Sequence, residues 1–224
     1  MKTAKGKLEE IYLDGSARIA CPPELIPAPG QYLLAHADGS DSPLPVPVFS
    51  SLPIPQSGFR SAPSLPDLWR PGQSLHLRGP IGHGFTIPTT ARKIALVAFD
   101  DSPARLLGLL SSALKQNAEV VVICNSAAED MPEIVEVQPL QALLDTLQWA
   151  EYAAMDVSRE NLDQLRERLA GKEQVTAKIE AQILVRAPMP CGALAECGVC
   201  ALTLHHDWKM ICKDGPVFEL KDLL

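Results

Sequence analysis

Apolar and polar positions change rhythm once along this chain, near residue 91. Before it, apolar residues come in short runs such as Leu8-Glu9-Glu10-Ile11-Tyr12-Leu13, Gln31-Tyr32-Leu33-Leu34-Ala35 and Ser74-Leu75-His76-Leu77-Arg78. Proline or glycine cuts each run, and none keeps a helical period beyond a turn or two. Short strands punctuated in this way predict a small antiparallel β-barrel or sandwich over residues 1–90. From Lys93 the texture is different. Lys93-Ile94-Ala95-Leu96-Val97-Ala98-Phe99 and Glu119-Val120-Val121-Val122-Ile123-Cys124 are unbroken apolar runs, as strands buried on both faces of a parallel sheet require. Between them Ser102 is placed to cap, and Pro103 to open, a helix striped by Leu106, Leu110, Ala113 and Leu114. Leu140, Leu143, Leu144 and Leu147 predict a second helix, and Glu151–Val157 a third strand. Ser158 then caps a third helix striped by Leu162, Leu165 and Leu169. Gln182-Ile183-Leu184-Val185-Arg186 is the last strand of what reads as a doubly wound parallel α/β sheet over residues 91–187. The remainder, 188–224, is loop-rich.

That remainder holds four of the six cysteines: Cys191, Cys197, Cys200 and Cys212, spaced C-x5-C-x2-C-x11-C. The spacing is one residue longer in its first gap than the plant-type pattern of a 2Fe-2S site, in which a tight loop gives three thiolates and a later strand the fourth. Gly192 and Gly198 follow two of the candidate ligands, where a loop around a cluster needs positive φ and inward-facing N–H groups. A structural zinc is the alternative, because Cys197-x2-Cys200 is half of a zinc knuckle, although zinc ribbons present two such pairs. Disulfides fit less well, since the first ten residues contain no apolar leader. Cys21 and Cys124 read as small core residues.

The segment Met189–Phe218 resembles the cluster-binding tail of the electron-transfer subunit of dihydroorotate dehydrogenase B, within the ferredoxin reductase-like flavoproteins. The resemblance implies three parts: a flavin-binding-type barrel at 1–90, a nucleotide-binding-type α/β domain at 91–187 and a 2Fe-2S domain at 188–224. It implies electron passage between NAD and a flavin in a partner dehydrogenase subunit, with any dihydroorotate bound by that partner. Two barrel stretches carry it further. Pro29-Gly30-Gln31-Tyr32 resembles the family's glycine turn into a strand, and Arg78-Gly79-Pro80-Ile81-Gly82-His83-Gly84-Phe85 resembles its Gly-Pro-Leu-Gly-Asn-Gly-Phe segment. On that likeness Gly79, Pro80, Gly82 and Gly84 are candidate FAD contacts, and a tight turn is the competing reading.

Elsewhere the chain departs from the family. The Arg-x-x-Ser strand that grips flavin pyrophosphate should fall near Pro45–Ser50, yet no arginine occurs between Gln31 and Gly58. The glycine turn that follows should fall near Arg60–Ser64, where only Arg60 or Ser61 could substitute. The first strand-to-helix turn reads Ala98-Phe99-Asp100-Asp101-Ser102-Pro103, with two carboxylates where a dinucleotide loop has glycines. FAD binding is therefore weakly supported and NAD binding is not expected.

Composition narrows the partners. With 20 basic and 27 acidic side chains the net charge is −7, against nucleic acid or an anionic membrane as partner. No run approaches the roughly 20 apolar residues of a membrane span. The sequence thus predicts a cytoplasmic electron-transfer subunit rather than a stand-alone catalyst, in a hetero-oligomer with a dehydrogenase or other redox protein. Its rivals are a zinc-holding interaction module and a full FAD/NAD reductase with unusual contacts. Lys209 and Lys213 flank the fourth cysteine, where positive charge favours a reduced cluster. His205-His206 alone cannot make a Rieske site and reads as surface or supporting residues.

Overall fold

The computed structural model describes the whole chain except residues 41, 43, 55, 101, 127–130, 177, 205 and 206 and the side chains of 173 and 175. Asp101 and the His205-His206 pair thus lie outside the described residues.

Six strands, β1 (Lys2–Ile11), β2 (Ala17–Ala20), β3 (Tyr32–Ala37), β4 (Val46–Ile54), β5 (Gly58–Ser61) and β6 (Ser74–Ile81), close into an antiparallel barrel of order β1-β2-β5-β4-β3-β6. Alternation along β6 decides which side chains enter: Leu75 and Leu77 are buried, and Ser74 and His76 are exposed. The interior is filled by Leu8, Ile19, Leu33, Phe59 and Trp69 among others.

The second layer is a six-stranded sheet made of β7 (Lys93–Ala98), β8 (Glu119–Ile123), β9 (Glu136–Gln138), β10 (Tyr152–Ser158), β11 (Glu180–Arg186) and β14 (Val217–Glu219). Its order is β14-β11-β10-β7-β8-β9, parallel throughout except for β14, which runs antiparallel to β11. Helix α1 (Leu110–Lys115) covers one face. Helices α2 (Leu143–Trp149) and α3 (Leu162–Leu169) cover the other, so the sheet is doubly wound. The first predicted helix is broken: Pro103–Arg105 and Leu107–Leu109 are 3-10 turns, and only then does α1 begin. Gly108, on the second turn, allows this segment to pack against Pro29 and the carbonyl of Ser51 on the barrel. Ser102 caps as expected, accepting from the N–H of Ala104 at 3.2 Å. Ser158 does not; its side chain makes no cap bond, and its own N–H instead donates to Asp100 at 2.6 Å.

Short elements complete the chain: α4 (Glu173–Thr176), the hairpin β12 (Ala201–Thr203) with β13 (Trp208–Met210), α5 (Ile211–Asp214) and α6 (Leu220–Leu223). The cysteine tail has no core of its own. Met189, Cys200, Met210, Ile211, Cys212 and Phe218 join an apolar cluster that includes Tyr32, Leu34 and Ile81 of the barrel and Met155 and Ile183 of the sheet. Each such side chain, when fully buried, contributes about 1.5–3 kcal/mol, so the tail is held by the two layers that it joins.

Candidate metal centre

The cysteine loop is anchored at both ends. It leaves β11 at Arg186, and its far end returns through α5 to β14, which pairs Gln182↔Glu219, Ile183↔Phe218 and Leu184↔Val217. Between these anchors Gly192, Ala193 and Gly198 take positive φ of 49°, 66° and 74°. The two glycines do so as the sequence requires, and Ala193 shows that the loop imposes the same conformation on a residue with a Cβ.

This folding brings the four tail thiols into one neighbourhood. Cys191 interacts with the thiols of Cys197 and Cys212, and Cys212 with that of Cys200. Cys197 is exposed, Cys191 half-buried, and Cys200 and Cys212 are buried. Their environments differ sharply. Burial acts to raise Cys191, but backbone groups of Ala195 and Ala193 and the thiols of Cys197 and Cys212 outweigh it and bring it down to about 7. Cys212 is pushed up to about 12, first by burial and then by its neighbour Cys200. The Cys212 N–H also points at Cys200 Sγ at 3.4 Å, the kind of backbone donation a metal-bound thiolate receives. Among the described residues no three His, Cys, Asp or Glu groups converge closely enough to hold a single metal ion. The thiols form a chain, Cys197 to Cys191 to Cys212 to Cys200, with one pair toward each end. Cys21 and Cys124 lie apart from them in other apolar clusters; burial pushes Cys21 up to about 11 and raises Cys124.

The barrel supports the loop directly. Arg78 Nη2 donates to the carbonyls of Cys191 at 2.8 Å and Gly192 at 3.1 Å. The Tyr32 hydroxyl donates to the carbonyl of Cys212 at 3.3 Å. Burial raises the titration of Tyr32, with Cys212 and Cys200 adding to that effect and Arg78 opposing it. In the sequence both residues fall in barrel strands and flavin-like stretches, and neither has a role at the cysteines there, because the contacts join residues more than a hundred positions apart. Lys213 reaches Glu196 in the loop at 3.8 Å, both largely exposed.

Of the candidate flavin residues, Gly82 is brought to the tail and the others pack within the barrel. A Cβ on Gly82 would lie 2.4 Å from Pro216 Cδ, and one on Gly84 2.7 Å from the carbonyl of Pro29. Gly79 and Pro80 lie in β6, with Gly79 packed against Leu33. His83 N–H donates to Gly215 at 2.7 Å, and its ring Nδ1 lies 3.1 Å from the carbonyl of Asp214. The segment therefore stitches the barrel to the turn after Cys212. The possible substitutes for a flavin-gripping arginine are engaged elsewhere: Arg60 bonds Asp14 and Ser16, and Ser61 Oγ accepts from Ala17. The ring of Phe49 on β4 is covered by the Arg105 guanidinium at 5.8 Å. These residues do not present a flavin phosphate grip.

The switch point of the sheet, between β7 and β10, is where a fold of this kind binds nucleotides. Here it holds an internal ion-pair network. Arg186 donates through Nε to Asp156 at 2.7 Å and through Nη2 to Asp100. Arg105 reaches Asp156 at 3.4 Å and the carbonyl of Pro63, while Asn161 donates to Asp100 at 2.7 Å.

Residues 187–224 match the family described as the iron-sulfur cluster binding domain of dihydroorotate dehydrogenase B. The whole chain shares its fold with the structure of an NADH-dependent reduced ferredoxin-NADP oxidoreductase reported for flavin-based electron bifurcation (TM-score 0.74, 15% identity, 99% of this chain and 90% of the other). It is also similar to the ferredoxin reductase in carbazole 1,9a-dioxygenase (0.63, 16%, 81% and 68%). A third likeness is to the flavohem-like FAD/NAD binding domain of nitric oxide dioxygenase from Vibrio cholerae (0.59, 16%, 81% and 98%). No helix among the described residues is long and apolar enough to cross a membrane.

Proposed function

We propose that this chain, a ferredoxin reductase-like body ending in an iron–sulfur cluster-binding segment of the dihydroorotate dehydrogenase B kind, is the electron-transfer subunit of a larger oxidoreductase. The observation that carries the reading is the gathering of Cys191, Cys197, Cys200 and Cys212 within the matched segment. We assign these four as ligands of a 2Fe-2S cluster. A two-iron centre takes its thiolates in pairs, and the chain of contacts offers Cys191 with Cys197 at one end and Cys200 with Cys212 at the other. The N–H of Cys212 aimed at Cys200 Sγ, and a loop whose Gly192 touches the barrel, suit a caged sulfur-rich group.

When bound, such a cluster supplies one-electron acceptance and release. The protein supplies the path. Exposed Cys197 would hold the group near the surface, where a partner's redox group can approach. Buried Cys200 and Cys212 would hold it on the side of Tyr32 and the barrel. No acid, base or nucleophile is needed for relay. The partner is a catalytic redox subunit, by the resemblance a dehydrogenase, and we derive no flavin or nicotinamide step in this chain. Domain limits of 1–90, 91–187 and 188–224 go with this assignment.

The test is an absorption spectrum of anaerobically purified protein before and after dithionite, with iron, sulfide, zinc and flavin counted on one sample. Iron with sulfide and bands between roughly 400 and 600 nm that bleach on reduction are expected. One zinc in a colourless protein would leave an interaction module instead.

A further inference from the structure

Arg78 stands on β6 between Thr3 of β1 and Leu34 of β3, and from there it reaches under the cysteine loop. One arm of its guanidinium is spent on the carbonyls of Cys191 and Gly192. The other nitrogen, Nη1, is buried with no hydrogen-bond partner among the described residues. Buried guanidinium N–H groups are rarely left without an acceptor, and no carboxylate among the described residues pairs with this charge. Its Nη2 contacts place the guanidinium beside the backbone of Cys191, the first of the proposed ligands. The Tyr32 hydroxyl, from the same barrel, bonds the carbonyl of Cys212, so the barrel grips the backbone of the first and the last of the proposed ligands. The loop is pressed onto the guanidinium: a Cβ on Gly192 would come within 2.4 Å of Nη2 and 2.2 Å of Leu34 Cδ1.

We propose that Arg78 is the positioning residue through which the barrel tunes the cluster: Nη2 fixes the backbone of the first ligand, and Nη1 donates to the cluster's sulfur. This rests on the cluster assignment. Reduction adds negative charge to a group already ligated by four thiolates. A cationic donor stabilises that form more than the oxidised one, which raises the reduction potential. Lys209 and Lys213 lack this leverage, because Lys213 is largely exposed and engaged with Glu196, and neither donates to the loop backbone.

The experiment is a potentiometric titration of the full-length, iron-loaded chain, followed by visible absorption or electron paramagnetic resonance, for wild type, Arg78→Lys and Arg78→Met. At the wild-type midpoint, R78M is expected to be about tenfold less reduced, a fall of about 59 mV for one electron. R78K, which keeps the charge but not the two-armed geometry, is expected between the two. An R78M protein with full iron and an unchanged potential overturns the proposal. Where R78M holds no iron, R78K decides: a lowered potential supports the role, and an unchanged one overturns it. A wild-type chain without iron sinks the cluster assignment itself and this proposal with it, and the metal count identifies that outcome separately.

Discussion

Arg186, the last residue of the strand that leads into the cysteine loop, donates to Asp100, the residue at which a dinucleotide loop would begin. One contact thus ties the departure of the tail to the switch point of the sheet. Asp156 completes the arrangement, 1% exposed and bonded to both Arg186 and Arg105. Two carboxylates and two guanidiniums neutralise one another where pyrophosphate would otherwise find a helix N-terminus. The segment there is moreover a 3-10 turn rather than a full helix.

Asp156→Ala would leave Arg105 and Arg186 in a buried site with one carboxylate fewer. Burial already lowers the titration of Arg105, which shows how poorly that site solvates charge. Breaking a buried pair by removing one partner costs about 3–5 kcal/mol. Urea unfolding should show the loss; a change below about 1 kcal/mol would mean that the network is solvated in solution.

Nicotinamide dinucleotides should not compete with this network. Titration with NADH, followed by its fluorescence, should show no saturable binding up to about 1 mM, equivalent to a binding free energy weaker than about −4 kcal/mol. Saturation in the micromolar range would mean that Arg105 and Asp100 give way to a ligand.

Single Cys→Ser substitutions separate ligands from core. Replacing Cys191, Cys197, Cys200 or Cys212 should abolish most of the bound iron and sulfide. Cys21→Ser and Cys124→Ser should retain both and lose only about 1–3 kcal/mol for burying a hydroxyl. Iron retained in all four tail variants would remove the assignment.

The metal-free chain should react with iodoacetamide in an order set by its thiolates. Cys191, held at about 7, gains thiolate as pH rises through that value, so its alkylation should climb between pH 6 and 8. Cys212, buried and pushed up to about 12, should stay protected through the same range. Peptide mass spectrometry after timed quenching reads both. Equal rates at the two sites would show that the loop is not preformed.

How much of this the sequence announced depends on the length of the signal. Apolar runs such as Glu119–Cys124 and alternation such as Ser74–Arg78 span enough positions to declare a strand, and both do form strands. The clustering of the four tail cysteines was equally legible, because their spacing sets them in one short segment, and the fold brings their thiols together. β9 and β14 were not, since three residues carry no period, and β14 exists only because β11 offers it an edge. Ser158 has the right residue type for a cap, but Asp100 claims its N–H from 58 residues away. Arg78 is the same kind of case: its partner is a backbone carbonyl 113 residues on, and no local pattern records such a contact.

Gly192 and Gly198 look alike in sequence, each following a cysteine, and both take positive φ. Their surroundings set them apart. A Cβ on Gly198 meets nothing within 4 Å, so Gly198→Ala should cost only the left-handed backbone penalty of about 1 kcal/mol. Ala193, in the same loop, already tolerates that conformation with a Cβ. A Cβ on Gly192 lies 2.2 Å from Leu34 Cδ1, so Gly192→Ala adds about 1–3 kcal/mol of overpacking and lifts the loop from Arg78. Iron retention and urea midpoints should therefore fall markedly in G192A and little in G198A. Equal behaviour of the two variants would show that the loop does not rest on the barrel as these contacts require.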